Sequence, residues 1–253
     1  MKRKLPNITN KIWSCSAIVV IVFIWQLACT MQLVDSFMLP SPMQVIQAFI
    51  NEFSVLMSHS FVTLAEAFLG LGLGIVLGFF MAVLMDQFEP IYKAFYPLIV
   101  LTQTIPTVAI APLLVLWFGY EMTPKVILIV ITTFFPIAIG LLNGFRSADT
   151  DSIHLLRAMG AGRWQIFRYI KLPGAMSQFF AGLRISASYA VVGAVISEWL
   201  GGFSGLGVYM TRVKQAFAFD KMFAVIFLIS IISLLLMKGV DVLQKICMPW
   251  EKE

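Results

Sequence analysis

The most constraining stretch of the chain reads Asp149-Thr-Asp-Ser-Ile-His-Leu-Leu-Arg-Ala-Met-Gly160-Ala-Gly-Arg-Trp-Gln-Ile-Phe-Arg-Tyr-Ile170-Lys-Leu-Pro173. Its apolar residues recur at every third position, at Ile153, Leu156 and Met159 and again at Trp164, Phe167 and Ile170. This period predicts two short amphipathic helices. Gly160-Ala-Gly162 separates them, and Pro173 is expected to end the second. Asp149 and Asp151 lie at the start of the first helix, where acidic groups suit the helix dipole.

On both sides of this stretch the chain is strongly apolar. Of its 253 residues, 60% are hydrophobic and 12% are charged. Soluble domains carry about 25% charged residues. The composition therefore predicts an integral membrane protein and argues against a soluble enzyme. The net charge is +5. In a membrane protein this value indicates the excess of Lys and Arg that is typical of cytoplasmic loops, and it does not indicate a nucleic-acid-binding surface.

Long intervals with few or no charged residues predict the membrane spans, since about 20 apolar residues cross a bilayer. The predicted spans are about Ile12–Met31, Phe61–Met85, a segment within Ala94–Tyr120, a segment between Lys125 and Arg146, Gly174–Trp199, and Met222 to about Val240. The predicted fold class is an all-α, polytopic membrane protein with six transmembrane helices. We expect a single permease-sized domain over residues 1–253, with no separate soluble domain.

One segment outside the spans is also expected to be helical. Ser41 precedes Pro42, and the apolar residues that follow, Met43–Phe53, are too few to cross a membrane. Serine favours the N-cap and proline the first helical position. This segment predicts a short helix on the external face.

The loop charges predict the orientation in the membrane. Most lysines and arginines fall in the N-terminal tail, in the stretch 149–173 and near the C-terminus. By the positive-inside rule these parts face the cytoplasm. The chain is thus expected to be a multi-pass protein of a bacterial plasma (inner) membrane, surrounded by lipid, with both termini cytoplasmic.

The two amphipathic helices in the stretch 149–173 admit two interpretations. They could lie flat on the lipid surface. They could also form a docking element that enters a groove of a cytoplasmic partner. The residue pattern alone does not separate these possibilities.

The stretch resembles the signature of permease subunits of binding-protein-dependent ATP-binding-cassette (ABC) importers. That signature is Glu-Ala-Ala, three residues, Gly, nine residues, Ile, any residue, Leu-Pro. The chain matches it at Gly160, Ile170, Leu172 and Pro173. It departs from it at His154-Leu-Leu156, where the signature has Glu-Ala-Ala.

The resemblance implies the type I ABC importer permease fold, with 149–173 as a cytoplasmic coupling loop and a core region of about 58–245. The first helix of the loop would be the coupling helix, seated in a cleft of the ATPase subunit. The coupling-loop residues so implied are Ile153, His154, Leu155, Leu156, Met159, Gly160, Ile170, Leu172 and Pro173.

Further segments resemble one branch of this family. They are Leu39-Pro-Ser-Pro42, Gln103-Thr-Ile-Pro106, Ala111-Pro-Leu-Leu-Val-Leu-Trp-Phe-Gly119 and Gly205-Leu-Gly207. That branch serves nitrate, taurine, alkanesulfonates and the pyrimidine precursor of thiamine. The stretch Gly193–Met210 is most similar to the pyrimidine-precursor members. The substrate implied is a hydroxymethylpyrimidine-type precursor or a sulfonate, taurine or nitrate-like solute.

The chain lacks a Gly-x-x-x-x-Gly-Lys-Ser/Thr loop for binding nucleotide phosphates. The resemblance implies that a separate ATPase dimer, carrying ATP and Mg, drives alternating access. It also implies an extracytoplasmic solute-binding protein as partner and pairing of two permease subunits, for which self-pairing is expected because twofold symmetry is the commonest arrangement. We expect no cofactor or metal on this chain, no catalytic residue and no enzymatic activity of its own.

Ionisable and polar groups within the spans are candidates for the solute path. Glu66 is expected to reach water near the external end of its span, and Arg184 to snorkel or to bind a helix-end carbonyl. His59 and His154 are isolated in the sequence. The residues that we expect on the path are Gln103, Thr104, Ser188, Tyr189 and Glu198.

One alternative function has a sequence criterion. A secondary transporter driven by an ion gradient would be expected to show carboxylates deep in the membrane or broken helices in matching halves. In this sequence Glu66 and Glu198 both lie toward the ends of their predicted spans, and no matching halves are visible. The sequence therefore favours the ABC importer.

Overall fold

The computed structural model describes residues 8–35 and 37–251, with side chains from residue 16 onward except residues 18 and 251. These residues form helices and connecting turns, and no strand occurs among them, which confirms the all-α class. The predicted tail charges Lys2, Arg3, Lys4 and Lys252 lie outside the described residues. The helices are α1 Ile8–Thr30, α2 Pro42–Asn51, α3 Phe53–Gln87, α4 Glu89–Thr102, α5 Thr107–Phe118, α6 Met122–Arg146, α7 Thr150–Ala158, α8 Arg163–Ile166, α9 Leu172–Leu200, α10 Leu206–Gln215 and α11 Phe219–Cys247.

Each of the six predicted spans has a helical counterpart. Four helices are long and apolar enough to cross a membrane, namely α3, α6, the continuous helix Arg163–Leu200 and α11. The pair α4 and α5 makes a fifth if it is counted as one span. The predicted first span lies on α1, which is 23 residues long.

The predicted third span consists of two helices with a break between them. Helices α4 and α5 meet at an angle of 99°. The amide of Gln103 donates to the carbonyl of Val100 at 3.2 Å, which closes α4 in a tight final turn. Pro106 has no N–H and disfavours helical backbone in the residue before it, so the helix cannot continue through this point.

The predicted short helix before α3 is confirmed as α2. Ser41 is its N-cap and Pro42 its first residue. The Ser41 hydroxyl accepts from the amide of Gln44 at 3.3 Å, and the Gln44 side chain accepts from the amide of Ser41 at 2.7 Å. This reciprocal capping box explains why the helix begins where the sequence predicts.

The second loop helix does not end at Pro173, contrary to the prediction. A π-helical turn, Phe167–Lys171, joins α8 to α9, so the helix runs on into the membrane span. The amide of Leu172 bonds to the carbonyl of Phe167, five residues back. The wider turn lets the helix pass a proline without the hydrogen bond that its missing N–H would have made.

One compact unit consists of Met1–Met57 and Met210–Leu228. Within it, Val45 and Ala48 of α2 pack on Ala224 of α11. The indole of Trp25 stacks on Phe227 at 5.9 Å between ring centroids. Apolar and aromatic packing therefore holds α1, α2 and the first turns of α11 together.

The other unit consists of Ser58–Tyr209 and Ile229–Glu253. Its centre is the pairing of α6 with α9, where glycines bring the two backbones together. A Cβ added to Gly140 would lie 2.8 Å from the carbonyl oxygen of Gln178, and one added to Gly144 would lie 2.6 Å from the Cβ of Ala175. Small residues four apart permit this approach between membrane helices.

A second row of glycines on α3 faces α6 in the same unit. A Cβ added to Gly78 would lie 2.9 Å from the Cγ2 of Ile137, and Cβ atoms on Gly70 and Gly74 would overlap Ile129 and Thr133. The four-residue spacing of these glycines is therefore a helix-packing feature.

Candidate functional site

The break between α4 and α5 forms one wall of a cavity of about 290 Å³. The facing walls come from the middle of α6 and from α9. Its lining residues are Thr102, Gln103, Ile105, Pro106, Thr107, Ile131, Thr132, Tyr189, Val192, Gly193 and Ile196. We call this space the membrane cavity. It exists because the broken helix leaves room beside two continuous ones.

Two of the five residues predicted to lie on the solute path meet in the membrane cavity. Gln103 lines it from the helix break and Tyr189 from α9. Thr104 lies in the same break, but its hydroxyl donates to the carbonyl of Leu101 at 2.8 Å. Ser188 is half-buried on α9, and neither it nor Thr104 is among the lining residues. Glu198 belongs to a different group of side chains.

The polar lining of the membrane cavity is neutral, since none of its lining side chains is charged. The hydroxyls of Thr102 and Thr132 donate to carbonyls of their own helices, at 2.7 and 2.9 Å. Their oxygens keep lone pairs that can accept from a solute. The Gln103 amide supplies donors and an acceptor, and Tyr189 supplies an aromatic face. This set suits a neutral polar ring.

A buried ion pair lies in the same unit. The Lys125 ammonium is 2.6 Å from the Glu66 carboxylate, and the two side chains are 6% and 3% exposed. The expectation that Glu66 reaches water is therefore wrong. Burial removes both charges from water, and the free-energy cost of this desolvation is offset by the close attraction between the two groups.

Glu198 is also buried, and it holds a turn. Its carboxylate accepts from the Thr63 hydroxyl at 2.7 Å and from the amide of Gly207 at 2.6 Å. The Thr63 oxygen accepts from the amide of Leu206 at 2.9 Å. The neighbouring amide of Gly205 donates to His59 at 2.9 Å. Three successive backbone amides are thus satisfied by side chains, and we call these groups the turn-binding cluster.

The turn-binding cluster requires glycine at Gly205. Its φ is +125°, in the region that residues with a side chain rarely adopt. A Cβ there would overlap the Glu198 carboxylate. The geometry gives Glu198 a structural contact away from the membrane cavity.

Two further residues belong to these groups, namely Lys125, which bounds a predicted span, and His59, which is isolated in the sequence. Neither residue has its partner nearby in sequence. The one local pattern that points to the turn-binding cluster is Gly205-Leu-Gly207, because closely spaced glycines indicate a tight turn. For Arg184 the structure shows side-chain partners and no helix-end carbonyl. Its guanidinium contacts the Asp241 carboxylate at 2.5 Å and the Gln244 side-chain oxygen at 3.0 Å.

The stretch 149–173 presents apolar side chains to the outside. Helix α7 contains no buried residue, and Leu155 and Met159 are 64% and 74% exposed. Gly160, with a φ of +84°, ends the first helix. Of the other predicted coupling residues, His154 is exposed, while Ile153, Leu156, Ile170, Leu172 and Pro173 are half-buried.

Comparison with known protein families identifies the chain. A family model described as "Binding-protein-dependent transport system inner membrane component" matches residues 74–252. The chain belongs to this family. It is therefore an ABC importer permease subunit, a multi-pass inner-membrane translocation component and not an enzyme. Family membership decides against the ion-gradient-driven alternative.

Individual relatives of the permease cover nearly the whole chain. The formylaminopyrimidine transport permease protein ThiX of Halalkalibacterium halodurans is 38% identical over 92% of this chain and 93% of its own length. The taurine transport permease protein TauC of Escherichia coli is 30% identical over 100% of this chain and 94% of its own. The riboflavin transport permease protein RibX of Chloroflexus aurantiacus is 30% identical over 92% of this chain and 88% of its own.

A solved structure supports the fold of the permease. A chain of the inward-facing MetNI methionine ABC transporter has a TM-score of 0.68 and 21% identity, over 77% of this chain and 97% of its own. At this identity the likeness concerns the fold alone. It agrees with the type I importer permease fold that the sequence predicts.

The permease's α7 helix is expected to loosen at low pH. Hydrogen bonds from the Ser152 hydroxyl and amide lower the pKa of Asp149, the N-cap residue, below its ordinary value of 3.8. The ionised carboxylate therefore stabilises the helix above the unfolded pKa, and this contribution is lost as pH falls through the lowered one. Amide exchange at Ser152, corrected for the intrinsic rate, should become faster below that pH. Asp149→Asn, an equally good cap, should show no such pH dependence.

Proposed function

We propose that this permease moves a small pyrimidine-type solute into the cytoplasm by alternating access. Two copies of the permease enclose the path, and an extracytoplasmic solute-binding protein delivers the solute. A dimer of ATPase subunits binds ATP and Mg, and this chain binds neither. Closure of the ATPase dimer moves the loop 149–173 and switches the path from one side of the membrane to the other. Both chain termini lie in the cytoplasm.

The observation that carries this proposal is the exposed apolar face of α7. Leu155 and Met159 lie in solvent on a short helix that ends at a glycine turn. A flexible methionine beside a leucine is suited to a partner's hydrophobic groove. Because Arg163–Leu200 is one continuous helix, displacement of the loop would be passed directly to the wall of the membrane cavity.

Docking of the ATPase is expected to depend on this face. The double variant Leu155→Asp/Met159→Asp should lose at least nine-tenths of the ATPase that co-purifies with the wild-type permease in mild detergent. Both residues are exposed, so the charges should not disturb the permease's own fold. Retention of the ATPase by the aspartate variant would contradict the proposal.

A matched control keeps the apolar contact. Leu155→Met/Met159→Leu exchanges the two side chains and should co-purify with the ATPase like the wild type. Equal loss in both double variants would assign the effect to helix stability rather than to docking.

The substrate class is inferred from the membrane cavity and from the name of the formylaminopyrimidine relative. The cavity offers neutral hydrogen-bonding groups and one aromatic ring. A sulfonate or nitrate ion would enter it without any cationic partner, and a buried unpaired charge is costly. A volume of about 290 Å³ suits a single ring better than a flavin. These features favour the pyrimidine precursor over the anionic substrates.

Substitution of Gln103 is expected to reduce uptake of the pyrimidine. In the complete transporter reconstituted in vesicles, Gln103→Leu should lower uptake of a formylaminopyrimidine roughly tenfold, the equivalent of one hydrogen bond in the cavity. Gln26→Leu, on an exposed face of α1, is the control. Rapid uptake of taurine in place of the pyrimidine would contradict the substrate assignment and leave the permease function standing.

A further inference from the structure

A second cavity, of about 260 Å³, lies in the same unit as the membrane cavity. It is formed where α3 ends and where the loop 149–173 enters the helix of the fifth span. Its lining residues are Asp86, Gln87, Arg157, Arg163, Ile166 and Lys171. We call it the basic cavity. It shares no residue with the membrane cavity or with the turn-binding cluster.

The charges around the basic cavity do not balance. Lys171 lies 2.7 and 2.8 Å from the two carboxylate oxygens of Asp86, which is 4% exposed. Gln87 donates to the same carboxylate at 3.4 Å. The one acidic group of the cavity is thus already occupied by one cation. Two further cations, Arg157 and Arg163, remain.

Neither arginine has an ion-pair partner within the part of the chain that the structure describes. Arg157 lies in the last turn of α7 and Arg163 is the first residue of α8. In the turn between them, the amide of Ala161 donates to the carbonyl of Leu156 at 2.9 Å, and Gly160 has a φ of +84°. The chain reversal therefore brings two guanidinium groups to the rim of one cavity.

We propose that the basic cavity binds the phosphate group of an anionic phospholipid. Guanidinium groups donate paired N–H bonds that match phosphate oxygens. The excess positive charge of the cavity would be offset by a phosphodiester.

A lipid source is favoured by where the cavity lies. It is at the ends of two membrane-spanning helices, where headgroups are found. Trp164, next to Arg163, is 68% exposed. Exposed tryptophan beside arginine is typical of the interface between membrane and water. Basic pockets between membrane helices are known to accept anionic headgroups.

Native mass spectrometry of the full chain in detergent tests the proposal. The probes are phosphatidylglycerol, phosphatidylcholine and inorganic phosphate, each added separately. The wild type should retain phosphatidylglycerol at least tenfold better than phosphatidylcholine. Arg157→Gln/Arg163→Gln should lose this preference. The control Arg168→Gln/Lys245→Gln removes two exposed charges outside the cavity and should keep it.

Each other outcome has a defined meaning. Saturable binding of inorganic phosphate that only the Arg157→Gln/Arg163→Gln variant loses, without preference for phosphatidylglycerol, would support the phosphate-binding chemistry and assign it to a soluble ion. Unchanged phosphatidylglycerol preference in that variant would overturn the proposal. The proposal would equally fail if the variant lost the ATPase while lipid retention stayed the same, because the arginines would then belong to the protein interface.

Discussion

Replacement of Lys125 by methionine is expected to destabilise the permease by about 3–5 kcal/mol, the usual effect of removing one partner of a buried ion pair. The reason is that Glu66, with a side chain 3% exposed and 2.6 Å from the lysine, would be left as an unpaired buried charge. One Glu66 oxygen already has no hydrogen-bond partner among the described residues. The unfolding midpoint in detergent should fall accordingly.

Two further variants make this prediction specific. Lys93→Met removes an exposed lysine whose pair with Glu89 has side chains 73% and 61% exposed, and should leave the midpoint nearly unchanged. The double variant Lys125→Met/Glu66→Leu replaces the pair with apolar groups and should recover most of the lost stability. A wild-type midpoint for Lys125→Met alone would show that the pair contributes nothing.

Substitution of Gly182 by alanine is expected to weaken the packing of α6 against α9. The added Cβ would overlap the carbonyl oxygen of Pro136 and lie 3.0 Å from its carbonyl carbon. Backbone atoms cannot rotate away as a side chain can, so the helices must separate. Overpacking of this kind costs about 1–3 kcal/mol.

Gly174→Ala is the matched control for this variant. It lies on the same helix, α9, and a Cβ there would meet no atom within 4 Å. Because alanine favours helix more than glycine does, this variant should be as stable as the wild type or slightly more so. If both variants unfold at the same temperature, the close approach at Gly182 is not a stability determinant.

Helix positions could be predicted because the signals for them are local. Apolar runs mark the spans, Ser41-Pro42 marks the start of α2, and Gly160 marks the end of α7. The error at Pro173 is equally local in origin. Proline usually ends a helix, but here a π-helical turn at Phe167–Lys171 accommodates the missing hydrogen bond. No pattern in the sequence predicts that turn.

The candidate sites were predictable only in part. Gln103 is one of the residues predicted for the solute path, and it lines the membrane cavity. The cavity itself depends on the 99° angle between α4 and α5. Proline predicts a disturbance at that point but not its angle, since the angle depends on what packs against each half of the helix.

The sequence by itself determined the membrane class, the number of apolar segments and the family signature of the loop, because hydropathy, periodicity and motif spacing belong to consecutive residues. Tertiary structure alone decided the partners of the buried charged groups. Lys125 and Glu66 are 59 residues apart, Thr63 and Glu198 are 135, and Lys171 and Asp86 are 85. A charge in a low-dielectric interior must find a partner in space. Which partner it finds depends on how the helices pack, and this cannot be predicted from neighbouring residues in the sequence.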